Sequence, residues 1–339
     1  MSQVRMKQSR DVEAMEMMYE MESLATFPMH EPGAAQFYET LYRNMSSSLR
    51  RMGREDEAAL YFLKMAEACR CHKKQLDWMD LWDLGILIAN RAYQAGRWPE
   101  FYKSREIIAE ALSQLRAVEP HELVLRAKVL SNLGQCYLAT EEYQQAEVYY
   151  SEAYDLFAST VGKRSPLFGM QAWACGNLRF AEGRHAAALP LLGEALYVEV
   201  VADGLSVSEM MKLLDQILHS MNELRSEDSS LQVHLGPVRR ALNELIEDPR
   251  WDELDKTLDL AVLNHKMALV YVVARWPEMG DRKAAEYFNL KAVSVLNDLQ
   301  HTGSKEAKRW LLQAEAVHSA VLGPWSPSKR EQHDFPAQN

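Results

Sequence analysis

The chain has 339 residues, a length that admits either two compact domains or one elongated body built from repeats. Only 15 glycines and 12 prolines interrupt it, fewer than average usage, which predicts a mostly helical chain. Its 48 acidic and 38 basic residues give a net charge of -10, and the basic pairs Arg50-Arg51 and Arg239-Arg240 are isolated, which argues against a nucleic-acid-binding surface.

The apolar runs, the cysteines and the first ten residues indicate where in the cell the protein is located. The longest apolar run, residues 267–274, is far shorter than the roughly 20 residues of a membrane helix, so a soluble protein without a membrane span is predicted. Four cysteines do not make a disulfide framework and favour a reducing compartment. Residues 1–10 contain Arg5, Lys7 and Arg10 without an acid, as in an organellar presequence, but five acids follow by residue 22. We predict the cytoplasm, with cilium, cytoskeleton or mitochondrion as alternatives.

The first predicted element is a methionine-rich helix over residues 11–25. Met15, Met18, Leu24 and Phe27 lie just ahead of the first predicted repeat. Because methionine is flexible and polarisable, it fits irregular neighbours and also adaptable binding surfaces. Residues 1–33 are therefore interpreted as a helix that caps the first repeat, and the alternative is a helix that docks on another subunit.

A repeat with a period of 42 residues follows. Gly134, Ala146, Glu152 and Ala153 recur as Gly176, Ala188, Glu194 and Ala195. The pairs Glu110-Ala111 and Glu67-Ala68 continue this repeat upstream, which makes four copies. Residues 280–292 have the same spacing of small residues and make a fifth copy, so five helical pairs are predicted. The small residues let antiparallel helices approach closely, while Tyr150 and Leu192 fill the space beside them.

Glycines of this frame are predicted to form the turns between paired helices. Gly53, Gly96, Gly183 and Gly280 stand where the first helix of a pair should end. A residue without a side chain adopts positive φ at such a position at little cost. Gly96 is followed by Trp98-Pro99, and proline is tolerated in the first turn of the next helix.

The segment from Ser131-Asn132-Leu133-Gly134 through Tyr143, Ala146, Tyr150 and Ala153 to residues 162–166 resembles the tetratricopeptide repeat family. The 42-residue period is similar to that of kinesin light chains. The resemblance implies an all-α, right-handed α-solenoid of helical hairpins, covering somewhat more than half of the chain. Three positions depart from the family pattern: Glu141 replaces a turn glycine, Arg179 replaces an aromatic residue, and Pro277 interrupts the fifth copy.

The solenoid is predicted to occupy residues 34–224. Its last helix begins at the capping-box pair Ser206 and Glu209 and reaches about Leu224. Polar residues 225–237 are predicted to be a linker, residues 238–322 a smaller helical region with a degenerate repeat, and residues 323–339 a disordered tail.

The tetrapeptide Arg-Trp-Pro-Glu occurs at residues 97–100 and 275–278, and residues 250–253 resemble it. Tryptophans that pack helix turns explain this pattern better than a motif for partner recognition. Residues 162–165 lack the glycine and the hydroxyl residue of a phosphate loop and are predicted to join two repeats. Cys69, Cys71 and His72 have no second ligand pair at zinc spacing. No catalytic residue, metal or cofactor is therefore predicted.

Binding residues follow from the family resemblance, which places them on the inner face of each first helix, along a concave groove. Six residues before the turn positions Gly96, Glu141 and Gly183, the predicted groove holds Asn90, Gln135 and Asn177. Tyr93, Leu138 and Phe180 come three residues later, and Ser131, Asn132 and Trp173 lie on the same helices. A carboxamide can donate to and accept from a peptide backbone at once, so a ladder of them suits an extended segment. An ordinary solvated helix face is the alternative.

The sequence favours a non-enzymatic scaffold or adaptor whose partners are proteins, because a solenoid offers an extended concave surface and little pocket for chemistry. The bound element is expected to be an extended protein segment. The alternative is a structural subunit of a large ciliary or organellar assembly.

Overall fold

In the computed structural model, the chain is described over residues 3–28, 31, 33–71, 75–201, 205–224, 231–274, 279–301 and 304–322. This part of the chain contains sixteen α-helices and no strand, which confirms the predicted all-α fold class. It divides into two compact units, residues 1–141 and residues 142–339. None of its helices is both long and apolar enough to cross a membrane.

The described part of the first unit contains two helical pairs and two further helices. Its helices are α1 (Gln3–Leu24), α2 (Ala34–Arg51), α3 (Glu55–Cys71), α4 (Trp78–Gln94), α5 (Trp98–Val118) and α6 (Leu123–Ala139). α2 packs along α3 and α4 along α5, while α1 lies against α2. On α2 the buried residues Tyr38, Leu41, Tyr42, Met45 and Leu49 recur at steps of three and four. This spacing forms the apolar stripe that an amphipathic helix turns toward a core.

The second unit begins with further pairs and continues with shorter helices. It contains α7 (Tyr143–Thr160), α8 (Pro166–Ala181), α9 (His185–Val201), α10 (Val207–Leu224), α11 (Leu231–His234), α12 (Gly236–Glu247), α13 (Pro249–Glu253), α14 (Leu258–Ala274), α15 (Met279–Gln300) and α16 (Lys305–Leu322). α8 pairs with α9 and α14 with α15, and α9 also contacts α10 and α12. Helices of two consecutive pairs, α8 and α10, therefore lie side by side.

The close approach predicted from the small residues is present between α8 and α9. A Cβ atom added to Gly176 would lie 2.8 Å from Cδ2 of Leu192, closer than carbon atoms pack. Ala188 and Ala195 are fully or nearly fully buried in the same pair of helices. The repeat residues therefore determine how near these two helices lie.

Three of the four predicted turn glycines are confirmed. Gly53, Gly96 and Gly183 have φ angles of 74°, 64° and 71°, and each follows its helix (α2, α4 and α8) after one intervening residue. The prediction for Gly280 is wrong, because this residue lies in the first turn of α15.

Several other local predictions are confirmed. The backbone N–H of Glu209 donates to Oγ of Ser206 at 3.3 Å, and α10 ends at Leu224. Residues 162–165 join α7 to α8.

Of the predicted linker, residues 225–230 lie outside the described residues, and residues 231–237 contain α11 and the start of α12. Pro277 and the predicted tail at 323–339 also lie outside them. The domain boundaries therefore stay a prediction.

Glu141 adopts the left-handed conformation that a turn glycine would have, with φ 60°, and is the one non-glycine residue with positive φ in the described part of the chain. A left-handed conformation costs an L-residue roughly 1–2 kcal/mol. We expect Glu141→Gly to raise the free energy of unfolding by about 0.5–1 kcal/mol, since the flexibility of glycine in the unfolded chain offsets part of the relief. Urea denaturation measures the change.

The matched variant is Gly183→Ala, at a turn with φ 71°. It should lower the free energy of unfolding by about 1 kcal/mol. A Glu141→Gly protein that is no more stable than the natural one would show that the left-handed glutamate carries no strain.

Candidate protein-binding site

Six of the predicted groove residues lie in the first unit, on α4 and α6. Asn90, Tyr93 and Gln135 are exposed, and Ser131, Asn132 and Leu138 are half-buried. None of the polar side chains Asn90, Ser131, Asn132 and Gln135 has a hydrogen-bond partner among the described residues. Their donors and acceptors are therefore available to a bound molecule.

The Tyr93 ring is held in place by the start of the next helix. It lies 6.1 Å from the Trp98 ring and 6.0 Å from the Phe101 ring, measured between centroids. Phe101 is buried, whereas Tyr93 and Trp98 remain about half exposed. This aromatic group gives the first unit an apolar surface three residues beyond the Asn90 amide.

The other three predicted residues, Trp173, Asn177 and Phe180, lie on α8 in the second unit and contact α10. Nε1 of Trp173 donates to Oε1 of Gln216 at 2.7 Å, and Nε2 of Gln216 donates to Oδ1 of Asn177 at 2.6 Å. This chain of hydrogen bonds fixes the orientation of the Asn177 amide. Its Nδ2 group donates to no described residue, so it can donate to a ligand.

Phe180 extends this surface with a cluster of three rings. Its ring centroid lies 5.1 Å from that of His219 on α10 and 5.4 Å from that of His185 on α9. Nδ1 of His185 lies 3.2 Å from Oγ of the buried Ser220. We call the surface formed by Trp173, Asn177, Phe180, His185, Gln216 and His219 the α8–α10 face.

Gln216, His185 and His219 were missed at the level of sequence. His219 follows Asn177 by 42 residues, as Asn177 follows Gln135, so the repeat period contained the signal. The groove positions were found by counting back six residues from each turn position. His219 could not be found in this way, because the residue six positions after it is Arg225 and not a turn glycine.

Four charged side chains of α8 and α10 lie in ion pairs, namely Arg179, Glu209, Lys212 and Asp215. On α10, Nζ of Lys212 lies 2.8 Å from Oε1 of Glu209, and Asp215 pairs with Lys266 of α14. Nε2 of His219 lies 4.0 Å from Oε1 of Glu223. The α8–α10 face therefore offers amides and rings rather than uncompensated charge, which suits a peptide backbone with apolar side chains.

Arg179, the departure from the family pattern on α8, connects that helix to its neighbour α7. Its guanidinium pairs with Glu147 of α7 and with Glu182, the latter at 3.0 Å. The hydrogen bond from Arg179 lowers the pKa of the Glu147 carboxyl. A cavity of about 180 Å³ lies beside this pair and is lined by none of the predicted groove residues. Arg179 thus has a structural role in place of the expected aromatic ring.

Two thiols, the buried Cys136 and the half-buried Cys175, lack the properties of a nucleophile. Burial raises the pKa of Cys136 to about 11 and that of Cys175 to about 12, so both stay protonated at neutral pH. Cys69 is buried and Cys71 exposed, while His72 lies outside the described residues. Within the described ranges, no three His, Cys, Asp or Glu side chains are grouped so that they could hold a metal ion.

Comparisons with known proteins give structural matches only. No family model and no curated protein matches the chain. Among solved structures, BtubC (BKLC) from P. vanneervenii is 15% identical, with a TM-score of 0.38 over 100% of both chains. A putative kinesin light chain from Podosopora anserina with nearly identical TPR-like repeats is 14% identical, with a TM-score of 0.42 over 64% of this chain and 95% of that one. The likeness concerns the fold alone.

Proposed function

We propose that this protein is a non-enzymatic interaction scaffold that binds an extended protein segment through the first helices of its helical pairs. The observation that carries the proposal is the hydrogen-bond chain from Trp173 through Gln216 to Asn177, which fixes the half-buried Asn177 amide and leaves its Nδ2 donor without a partner among the described residues. A preorganised amide loses less conformational entropy when it binds than a free one does.

The first unit supports the same function with its own set of residues. Exposed carboxamides, Asn90 and Gln135, stand on α4 and α6, and the Tyr93 ring lies one helical turn beyond Asn90. Amides that both donate and accept can bind backbone N–H and C=O groups whatever the side chains of the ligand are. The neighbouring rings would supply apolar contacts and some selectivity.

The test uses the full-length protein with Asn90, Gln135 and Asn177 changed together to alanine. Proteins recovered from native lysate by the unaltered chain are identified, and the bound segment of one is made as a synthetic peptide. Calorimetry then measures its Kd. Each lost hydrogen bond should cost about 1 kcal/mol, so the triple variant should bind roughly 100-fold more weakly.

A matched control changes three carboxamides of the second helices to alanine: the exposed Gln144 and Gln145 and the half-buried Gln114. This variant should bind as the natural protein does. Equal recovery of all partners by both variants would contradict the proposal. If the triple variant is still recovered in a stable megadalton complex, this result would instead support the alternative that the protein is a structural subunit of a large assembly.

A further inference from the structure

The N-terminal helix α1 has one face that packs on the first unit and a second face that does not. On the packed face Met15 is 2% exposed, within the same apolar cluster as Tyr42 and Leu49. Ion pairs hold this face at both ends: Arg51 to Asp11 at 2.7 Å and Lys64 to Glu22 at 2.7 Å. α1 therefore packs on α2 and α3.

The opposite face of α1 is apolar and open. Met17, Met21 and Leu24 are 66%, 44% and 71% exposed. Their spacing of four and three residues aligns them on one side of the helix. We call these three residues the α1 stripe. Exposed apolar side chains that line up in this way are typical of an interaction site, whereas isolated ones are not.

The charge beside the α1 stripe indicates the kind of partner. At 100° per residue, Glu13, Glu16 and Glu20 lie along one edge of the stripe. All three are exposed, and none forms an ion pair with a described residue. Between residues 11 and 28 the sequence contains no lysine or arginine. The other two acids on the helix, Asp11 and Glu22, are already neutralised by Arg51 and Lys64.

We propose that the α1 stripe is a second protein-binding site, which takes an amphipathic helix whose apolar face is bordered by lysine or arginine. Such a helix would cover Met17, Met21 and Leu24 and place its cations against the row of carboxylates. Methionine side chains adapt to the shape of different apolar surfaces, so the stripe does not require one exact partner sequence. This site is separate from the residues proposed to bind an extended segment, and neither proposal depends on the other.

A second copy of this chain fits the site poorly. If residues 11–24 of two molecules packed against each other, the row formed by Glu13, Glu16 and Glu20 in one molecule would face the same row in the other. Like charges at facing helix edges are destabilising, and they select against self-association in paired helices. Charge complementarity therefore favours a basic helix over a second α1.

The test measures binding of two synthetic peptides to the full-length protein by fluorescence anisotropy. Both peptides have three heptads with leucine at the first and fourth positions; one has lysine and the other glutamate at the flanking positions. The lysine peptide should bind the natural chain, and its affinity should fall as salt is raised. The variant Met17→Gln, Met21→Gln, Leu24→Gln should bind it roughly 50-fold more weakly, with an unchanged melting temperature because these side chains are exposed.

Two further variants make the outcome decisive. Changing the exposed residues Val118, Val148 and Leu312 to glutamine is the matched apolar control and should leave binding unchanged. Changing Glu13, Glu16 and Glu20 to glutamine should weaken binding and reduce its salt dependence without altering the apolar surface. The proposal is overturned if the stripe variant binds as tightly as the natural chain, if the glutamate peptide binds equally well, or if sedimentation equilibrium shows a dimer that the stripe substitutions dissociate.

Discussion

Replacement of Trp251 by alanine is expected to lower the free energy of unfolding by about 3–5 kcal/mol, since this is the usual cost of removing a large buried aromatic side chain. Trp251 lies on α13 and is fully buried. The ammonium of Lys291 lies 5.2 Å from the centre of its indole ring and donates to its backbone carbonyl at 3.1 Å. The substitution would therefore leave a cavity and remove the contact of the indole ring with Lys291 of α15, while the backbone carbonyl of residue 251 is retained. Urea denaturation of the purified protein measures it.

Trp98 is the natural control because it stands in the related sequence Arg97-Trp98-Pro99-Glu100. The residue is 43% exposed and its ring contacts Tyr93 and Phe101, so Trp98→Ala should cost about 1–2 kcal/mol, less than the loss at Trp251. Trp251→Phe should cost less than Trp251→Ala, because it keeps most of the buried ring and removes an indole N–H without a hydrogen-bond partner among the described residues. Similar losses for Trp98→Ala and Trp251→Ala would contradict the conclusion that Trp251 contributes more to stability than Trp98.

Acidification from pH 7 to pH 4 is expected to lower stability by about 3 kcal/mol through His265 alone. His265 is buried on α14 with its ring 5.8 Å from that of Trp310, and its Nδ1 atom has no hydrogen-bond partner in the described part of the chain. Burial lowers its pKa to about 4, with a smaller contribution from Lys266. In the unfolded state the pKa of His265 is near 6.5, so between about pH 6.5 and pH 4 the unfolded chain binds a proton that the folded chain does not bind. The free energy of unfolding therefore falls as the pH drops through this interval.

The variant His265→Gln isolates this contribution, because glutamine is polar but does not titrate. Urea denaturation at several pH values between 4 and 7.5 gives the free energy of unfolding of both proteins. The natural protein should lose about 3 kcal/mol more than the variant over this interval. Curves that run parallel would show that His265 is protonated equally well in the folded and unfolded states.

The local features of the helical pairs were readable in the sequence because they depend on residues close together in the chain. Turn glycines such as Gly183, the cap formed by Ser206 and the small residue Gly176 were all identified from spacing alone. The methionine-rich helix near the N-terminus was likewise predicted from neighbouring residues of the sequence. The groove residues were assigned through a family resemblance, and their role in binding stays a prediction.

The tertiary structure decided which surfaces are covered and which remain open. Trp98 and Trp251 stand in nearly the same tetrapeptide, yet one is half exposed and the other fully buried, because burial depends on the helices that pack around each residue. Met15 and Met17 differ in the same way on α1. Spacing shows that residues share a helical face, but not whether another helix covers it. The contact from Gln216 to Asn177 joins helices separated by a further helix and a break in the repeat, so no local pattern specified it.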